Sequence, residues 1–126
     1  MYIAIDGDDS GRKIASCYLN NQEYELTRAS EVLTQLALEI SRLLTSNNFR
    51  IIFCAADGVA AASPTSNCDW NRLFSKIQSI ALPDFTFSAG VGCSLQEAYI
   101  ALLHAKSSGK NRLSHFSEMS HEPRQK

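Results

Sequence analysis

Residues Arg50 to Ala62 read RIIFCAADGVAAA, and the way this stretch folds decides how the rest of the chain must be arranged. Ile51, Ile52, Phe53 and Cys54 form a continuous apolar run of strand length, expected to be covered on both faces and to lie inside a sheet. Asp57-Gly58 follows, with small apolar residues on either side. An Asp-Gly pair between two apolar runs predicts a hairpin, because the tight primed turn needs positive φ and these residues tolerate it. Taken alone, Asp57 is an ordinary turn residue; it acquires chemical meaning only if a second acidic strand end lies beside it.

That second end is near the N-terminus. Met1 to Ile5 (MYIAI) is a strand candidate that runs directly into Asp6-Gly7-Asp8-Asp9-Ser10-Gly11. Carboxylates interleaved with glycines suit a metal and phosphate site. Gly7 and Gly11 let the backbone approach a ligand, and the following helix offers its first N–H groups to an anion. The plainer alternative is a capped helix start whose acids complement the dipole, a role that Asp8 or Asp9 can fill. Asp6, at the end of the strand, is harder to explain in that way.

Between these two acidic ends, Arg12 to Asn20 is a short amphipathic piece with Ile14, Cys17 and Tyr18 on its apolar side, broken at Asn20-Asn21. A longer helix to about Thr45 keeps Leu26, Ala29, Leu33, Leu36, Ala37, Ile40 and Leu44 on one face, a pattern of core packing. Beyond the hairpin, Ser63 to Asn67 reads as a loop, with Asn67 or Asp69 capping a helix that carries Trp70, Leu73, Phe74, Ile77 and Ala81. Trp70 in that register reads as core, with base stacking as the alternative. Phe85, Phe87, Ala89 and Val91 alternate with Thr86, Ser88 and Gly90, which predicts a half-polar strand ending at Gly92. Ser94-Leu95-Gln96-Glu97 is a capping box opening a helix through Ala98, Leu102 and Ala105 that stops at Gly109, with Lys106 and Lys110 at its C-terminal end. Leu113 to Phe116 adds a candidate edge strand.

Strand, helices, hairpin, helix, strand, helix is the order of a ferredoxin-like palm, an α+β fold in which helices cover one face of an antiparallel sheet. In that topology the first two strands run the same way with the third between them, so Asp6 and Asp57 emerge at one edge. The fourth strand runs oppositely, and the helix after it returns Lys106 and Lys110 to the same edge. Two acids, two cations and a glycine-rich helix start then share one site, an arrangement suited to Mg²⁺-dependent nucleotidyl transfer. Singly, the lysines need no more explanation than their favourable place at a helix C-terminus.

The totals set bounds on this reading. The 126 residues suffice for one domain with a real core, here residues 1–117, followed by a polar tail, 118–126, expected to be disordered. A formal net charge of −1 without a basic cluster argues against long nucleic acid or an anionic membrane as partner. Cys17, Cys54, Cys68 and Cys93 have no C-x-x-C spacing and read as small buried thiols. The histidines, His104, His115 and His121, have no ligand-set spacing. The opening apolar run stops at Asp6, too short for a signal-peptide core, so a cytoplasmic location is expected.

Phe87-Ser88-Ala89-Gly90-Val91-Gly92, followed by Glu97-Ala98-Tyr99-x-Ala101-Leu102-x-x-Ala105-Lys106-x-x-Gly109-Lys110-Asn111-Arg112, resembles the C-terminal half of GGDEF-type diguanylate cyclases and CRISPR polymerase palms. With Asp6-Gly7-Asp8-Asp9 and the compact length, the nearest resemblance is to the minimal CRISPR polymerase family. The resemblance implies a cyclase of an antiviral system. Its substrates would be nucleoside triphosphates, ATP above all, and its product a cyclic oligonucleotide, such as a cyclic dinucleotide, read by a separate effector. It implies Mg²⁺ or Mn²⁺ held by Asp6, the Gly7 backbone and Asp57. Asp6, Asp57 and Asp8 would be catalytic, and Gly7, Asp9, Gly11, Gly58, Ser88, Lys106 and Lys110 would stand around the nucleotide and its phosphates. The symmetry of making a cyclic dinucleotide implies a homodimer with facing sites. The hairpin departs from the family pattern: Ala55-Ala56-Asp57-Gly58 stands where GGDEF enzymes carry Gly-Gly-acid-acid. Either Asp8 or Asp9 substitutes for the missing acid, or substrate phosphates hold a second metal, or the palm is a degenerate nucleotide-binding module. A plain ferredoxin-like interaction domain is the third reading, and it leaves the acids at both strand ends unexplained.

Overall fold

The computed structural model describes residues 1–119; the expected tail is corrected at its start, where Phe116–Glu118 forms a 3-10 turn, and its residues 120–126 lie outside the described residues. One five-stranded sheet has the order β2-β3-β1-β4-β5. Strand β1 (Tyr2–Gly7) is central, flanked antiparallel by β3 (Gly58–Ala62) and β4 (Phe87–Gly92). Strand β2 (Arg50–Ala55) pairs antiparallel with β3 at one edge, and β5 (Leu113–His115) pairs parallel with β4 at the other. Helices α1 (Ser10–Leu19), α2 (Glu23–Ser46), α3 (Trp70–Ala81) and α4 (Leu95–Ser107) complete the palm-like α+β domain. Strand order and direction are those expected from the sequence.

The helices, however, occupy both faces of the sheet. Side chains alternate across a strand, so Ile3 and Ile5 of β1 point one way and Ala4 and Asp6 the other. On the first face Ile3, Ile5, Val59, Phe87 and Val91 pack with Leu36, Ile40 and Leu44 of α2 and with Leu73, Phe74 and Ile77 of α3. Each such side chain, fully buried, contributes about 1.5–3 kcal/mol. Trp70 belongs to this core, its ring edge-on to Phe49 with centroids 5.8 Å apart. The loop before α3 resolves in favour of Asp69, whose carboxylate accepts the Arg72 N–H at 3.1 Å.

On the second face α4 lies directly on β4. A Cβ placed at Gly90 would sit 2.1 Å from the backbone N of Leu102 and 2.2 Å from the carbonyl O of Ala98, so the helix backbone rests on the strand at a distance that only glycine permits. Ala98, Ala101 and Ala105 are buried in this seam. The helix start is pinned by Ser94 Oγ, which accepts the Glu97 N–H at 3.1 Å, while Glu97 Oε1 accepts the Cys93 N–H at 2.9 Å.

Because α4 covers the second face, β4 is buried along its whole length rather than half-polar. The expectation for β2 is also corrected. It is an edge strand, with Phe53 55% exposed and Ile52 exposed beside it. A bulge between Ile51 and Phe53 breaks the alternation, so that Ile51 and Cys54, rather than Ile51 and Phe53, turn toward the α2 side. Tyr18 is exposed rather than packed. Of the cysteines only Cys17 is buried; Cys54 and Cys68 are half-buried, Cys93 is exposed, and all four are free thiols.

Candidate active site

Strands β1 and β2 are both antiparallel to β3, so the end of β1 and the β2–β3 turn meet at one edge of the sheet. Asp6 is paired across the ladder with Gly58 on one side and Ser88 on the other. The turn folds over the end of β1, where the Gly7 N–H donates to the Asp57 carbonyl at 3.2 Å. The Asp57 carboxylate lies against the Gly7 backbone: a Cβ at Gly7 would stand 2.9 Å from Asp57 Oδ2 and 3.2 Å from Asp57 Cβ. Ser10, buried in the first turn of α1, donates its hydroxyl to that same Oδ2 in a very short contact. Asp6 Oδ1 lies 3.5 Å from where a Cβ of Gly58 would be, so both strand-end acids crowd one corner. Partial burial, and then the neighbouring Asp57 carboxylate, hold the Asp6 carboxyl above its ordinary range, with Lys106 opposing.

Helix α4 delivers Lys106 to this corner. Its ammonium donates to the Gly7 carbonyl at 2.7 Å, stands 3.2 Å from Asp6 Oδ2 and reaches Asp8 Oδ1 at 3.3 Å. Lys110, in the turn after α4, pairs with the exposed Asp9 at 2.5 Å, and the hydrogen bond from Lys110 is what lowers the Asp9 carboxyl below its usual value. Asp9 occupies the residue before α1 with φ 59° but makes no capping bond, so the pairing and not the cap describes it.

Asp8 is unlike the other acids. Only 3% of its side chain is exposed. It accepts hydrogen bonds from Thr86 Oγ1 at 2.8 Å, Ser88 Oγ at 2.8 Å and the Asn111 N–H at 2.9 Å, besides the contact with Lys106. A buried carboxylate so satisfied ties together the end of β1, the start of β4 and the loop after α4. Neither Asp8 nor the ion-paired Asp9 therefore stands free to replace the hairpin's missing second acid, and Ser88, fully buried, gives its hydroxyl to Asp8 rather than facing a phosphate. Gly58 lines the corner beside Asp6, whereas Gly11 faces open space in the first turn of α1. Ser10, Thr86 and Asn111 are site residues that sequence reasoning did not single out. The signal for Thr86 is its alternation with Ser88, which predicts only a half-polar strand and not a shared buried acceptor.

A groove of about 280 Å³ opens beside the corner, walled by Phe53, Gly58, Ala60, Tyr99 and Leu103, with Asp6 and Lys106 at one end. His104 lies away from it, its Nδ1 3.1 Å from Ser114 Oγ, in keeping with a structural role. Among the described residues no three His, Cys, Asp or Glu side chains cluster as a metal cage, and no helix is long and apolar enough to cross a membrane. The oxygens that fit a hard cation are the Asp6 and Asp57 carboxylates and the Gly7 carbonyl. The last of these, with Asp6, already accepts the Lys106 side-chain ammonium group.

A palm sheet with an acid at the end of its first strand, an acid in its hairpin and a lysine returned by its last long helix defines a domain of the nucleotide polymerase and cyclase type. The family model of the minimal CRISPR polymerase domain matches residues 2–116, and the chain belongs to that family. Among solved structures, the active GGEEF domain of a diguanylate cyclase from Vibrio cholerae has the same fold, with a TM-score of 0.62 and 19% identity over 94% of this chain and 83% of that one. Comparison with curated proteins gave no match.

Proposed function

We propose that this domain condenses nucleoside triphosphates, ATP foremost, into a cyclic oligonucleotide of the dinucleotide type, a messenger in antiphage defence that a separate effector reads. The observation that carries the reading is the meeting of Asp6 and Asp57 at one sheet edge, beside the Lys106 ammonium. Partial burial first, and the Asp57 carboxylate second, keep the Asp6 carboxyl above its ordinary range in spite of Lys106, and such a group favours a cation beside it. Asp6, Asp57 and the Gly7 carbonyl would hold Mg²⁺ or Mn²⁺, which when bound neutralises the triphosphate and activates a ribose hydroxyl. Lys106 and Lys110 neutralise the outer phosphates, and α1 begins beside them, its Ser10 hydroxyl against the Asp57 carboxylate. Phe53 and Tyr99, both exposed on the adjoining groove, offer the base a stacking surface. Ser10 fixes the Asp57 rotamer, and Asp8 fixes the loop that presents Lys110.

One site of this kind holds one triphosphate. Each nucleotide of a cyclic dinucleotide is both attacker and target, so two copies with facing sites are the proposed working unit. Sedimentation under turnover conditions tests this: a strict monomer counts against it.

Incubation with ATP and Mg²⁺, followed by pyrophosphate assay and mass spectrometry of the product, tests the activity. Asp57→Asn should lower turnover by more than about 100-fold, the scale seen when a group that stabilises developing charge is lost. The melting temperature should barely move, because Asn matches Asp in shape and the positive φ of this turn, 52°, falls on Ala56 rather than on Asp57-Gly58 as the sequence predicts. Undiminished product refutes the assignment. Gly58 favours a second reading, a palm that binds nucleotide without turning it over, since the hairpin carries one acid where the cyclases carry two. Nucleotide binding with no pyrophosphate release would select that reading.

A further inference from the structure

We infer that Lys106 is the site's internal counter-cation: its ammonium occupies two of the metal's oxygen ligands until metal and triphosphate arrive together, and this exchange makes the two bind cooperatively. The inference rests on the proposal that Asp6, the Gly7 carbonyl and Asp57 hold a divalent cation. An ammonium has three N–H donors, and Lys106 directs its own at three oxygens, the Gly7 carbonyl at 2.7 Å, Asp6 Oδ2 at 3.2 Å and Asp8 Oδ1 at 3.3 Å. The first two belong to the proposed metal set. A divalent ion at those oxygens and an ammonium in its present place would be within a few ångströms of each other, in a half-buried corner where repulsion is weakly screened.

The body of α4 cannot yield, because its backbone is seated on β4 at Gly90, so the exchange is confined to the flexible Lys106 side chain. Asp8 gives that motion a fixed anchor. Its carboxylate stays held by Thr86, Ser88 and the Asn111 N–H whether or not Lys106 touches it, so the ammonium can turn away from Gly7 and Asp6 and keep one anionic partner. A metal arriving alone displaces an ammonium that then lacks a full set of acceptors. A triphosphate arriving alone meets the Asp6 and Asp57 carboxylates. Arriving together, the metal takes the carboxylates and the phosphates take the ammonium. Each ligand thus strengthens the other, by the same factor in both directions.

The test is Mn²⁺ binding to the full chain, read by electron paramagnetic resonance of free Mn²⁺, with and without a non-hydrolysable ATP analogue and after correction for Mn²⁺ chelated by the analogue. For the native protein the analogue should tighten Mn²⁺ binding about tenfold, within the usual range of such couplings. Lys106→Met should bind Mn²⁺ more tightly than the native protein without nucleotide, and its coupling should fall toward unity. Lys106→Arg, which keeps the charge, should restore weak nucleotide-free binding and guards against a folding defect in the methionine variant. Equal nucleotide-free affinity in the native protein and both variants, with Asp6→Asn abolishing binding, overturns the role of Lys106 and leaves the metal assignment intact. Absence of Mn²⁺ binding from every protein, with analogue present, overturns both.

Discussion

The two faces of the sheet are built on opposite principles. Against α2 and α3 the strands present Ile3, Ile5, Val59, Phe87 and Val91, and a thick layer of interlocking side chains separates helix from strand. Against α4 they present Ala4, Ala60, Ser88, Gly90 and Gly92, and the helix comes down on the sheet almost backbone to backbone. The first arrangement supplies most of the stability through buried apolar area. The second supplies position: a helix seated without intervening side chains has little room to slide, and it carries Lys106 to the Asp6–Asp57 corner. The core holds the domain together, and the thin seam sets the geometry of the site.

That contrast can be broken most severely at Gly90. Gly90→Val places three carbons where backbone atoms of Leu102 and Ala98 already stand, and the expected loss exceeds about 4 kcal/mol, enough to unfold a domain of this size or strip α4 from it. Urea titration followed by circular dichroism measures it; a variant within about 1 kcal/mol of the native protein would mean that the seam is not tight. Phe87→Ala removes a fully buried ring from the thick face and should cost about 3–5 kcal/mol while leaving the Lys106 contacts in place. Adding a small side chain to one face is therefore expected to do at least as much harm as deleting a large one from the other.

A smaller effect of opposite sign sharpens the comparison at the site itself. The Asp6 carboxyl has its pKa raised in the fold by burial first and by Asp57 second. A group raised above its unfolded value favours the fold while protonated, and that favour is lost as pH climbs through the folded value. At neutral pH the ionised Asp6 therefore opposes folding, and Asp6→Asn, which mimics the neutral acid, should raise the melting temperature slightly in metal-free buffer while abolishing turnover. The gap should close as pH falls below the carboxylate range. Calorimetry across pH in the presence of EDTA checks this, and a variant less stable than the native chain at pH 7 would contradict it.

Much of this is legible in the sequence. Hydrophobic spacing located α2 and α3, and antiparallel strand order alone brings Asp6, Asp57 and Lys106 to one edge. What failed had a common cause: letters report polarity, not what faces them. The apolar run Ile51–Cys54 predicts an interior strand, yet it lies at an edge where a bulge reassigns which residues turn inward. The Thr86/Ser88/Gly90 alternation predicts a half-polar strand; its hydroxyls instead serve Asp8 and its glycine serves α4. The letters place Asp8 among acids and say nothing of its partners. Only the direction of its side chain beyond the end of β1 reveals that its oxygens are already engaged.

The hairpin that carries Asp57 belongs to β2 and β3, and β2 is the outermost strand, its Phe53 and Ile52 open to solvent, whereas Asp6 rides on the strand at the middle of the sheet. Peripheral strands fray at a lower free energy than central ones. Warming should therefore loosen the Phe53 wall of the groove while Asp57 stays tied to β1 through the Gly7 N–H and the Ser10 hydroxyl, and the proposed catalysis should fade at a temperature below the calorimetric midpoint, an upper thermal limit set at the margin of the sheet.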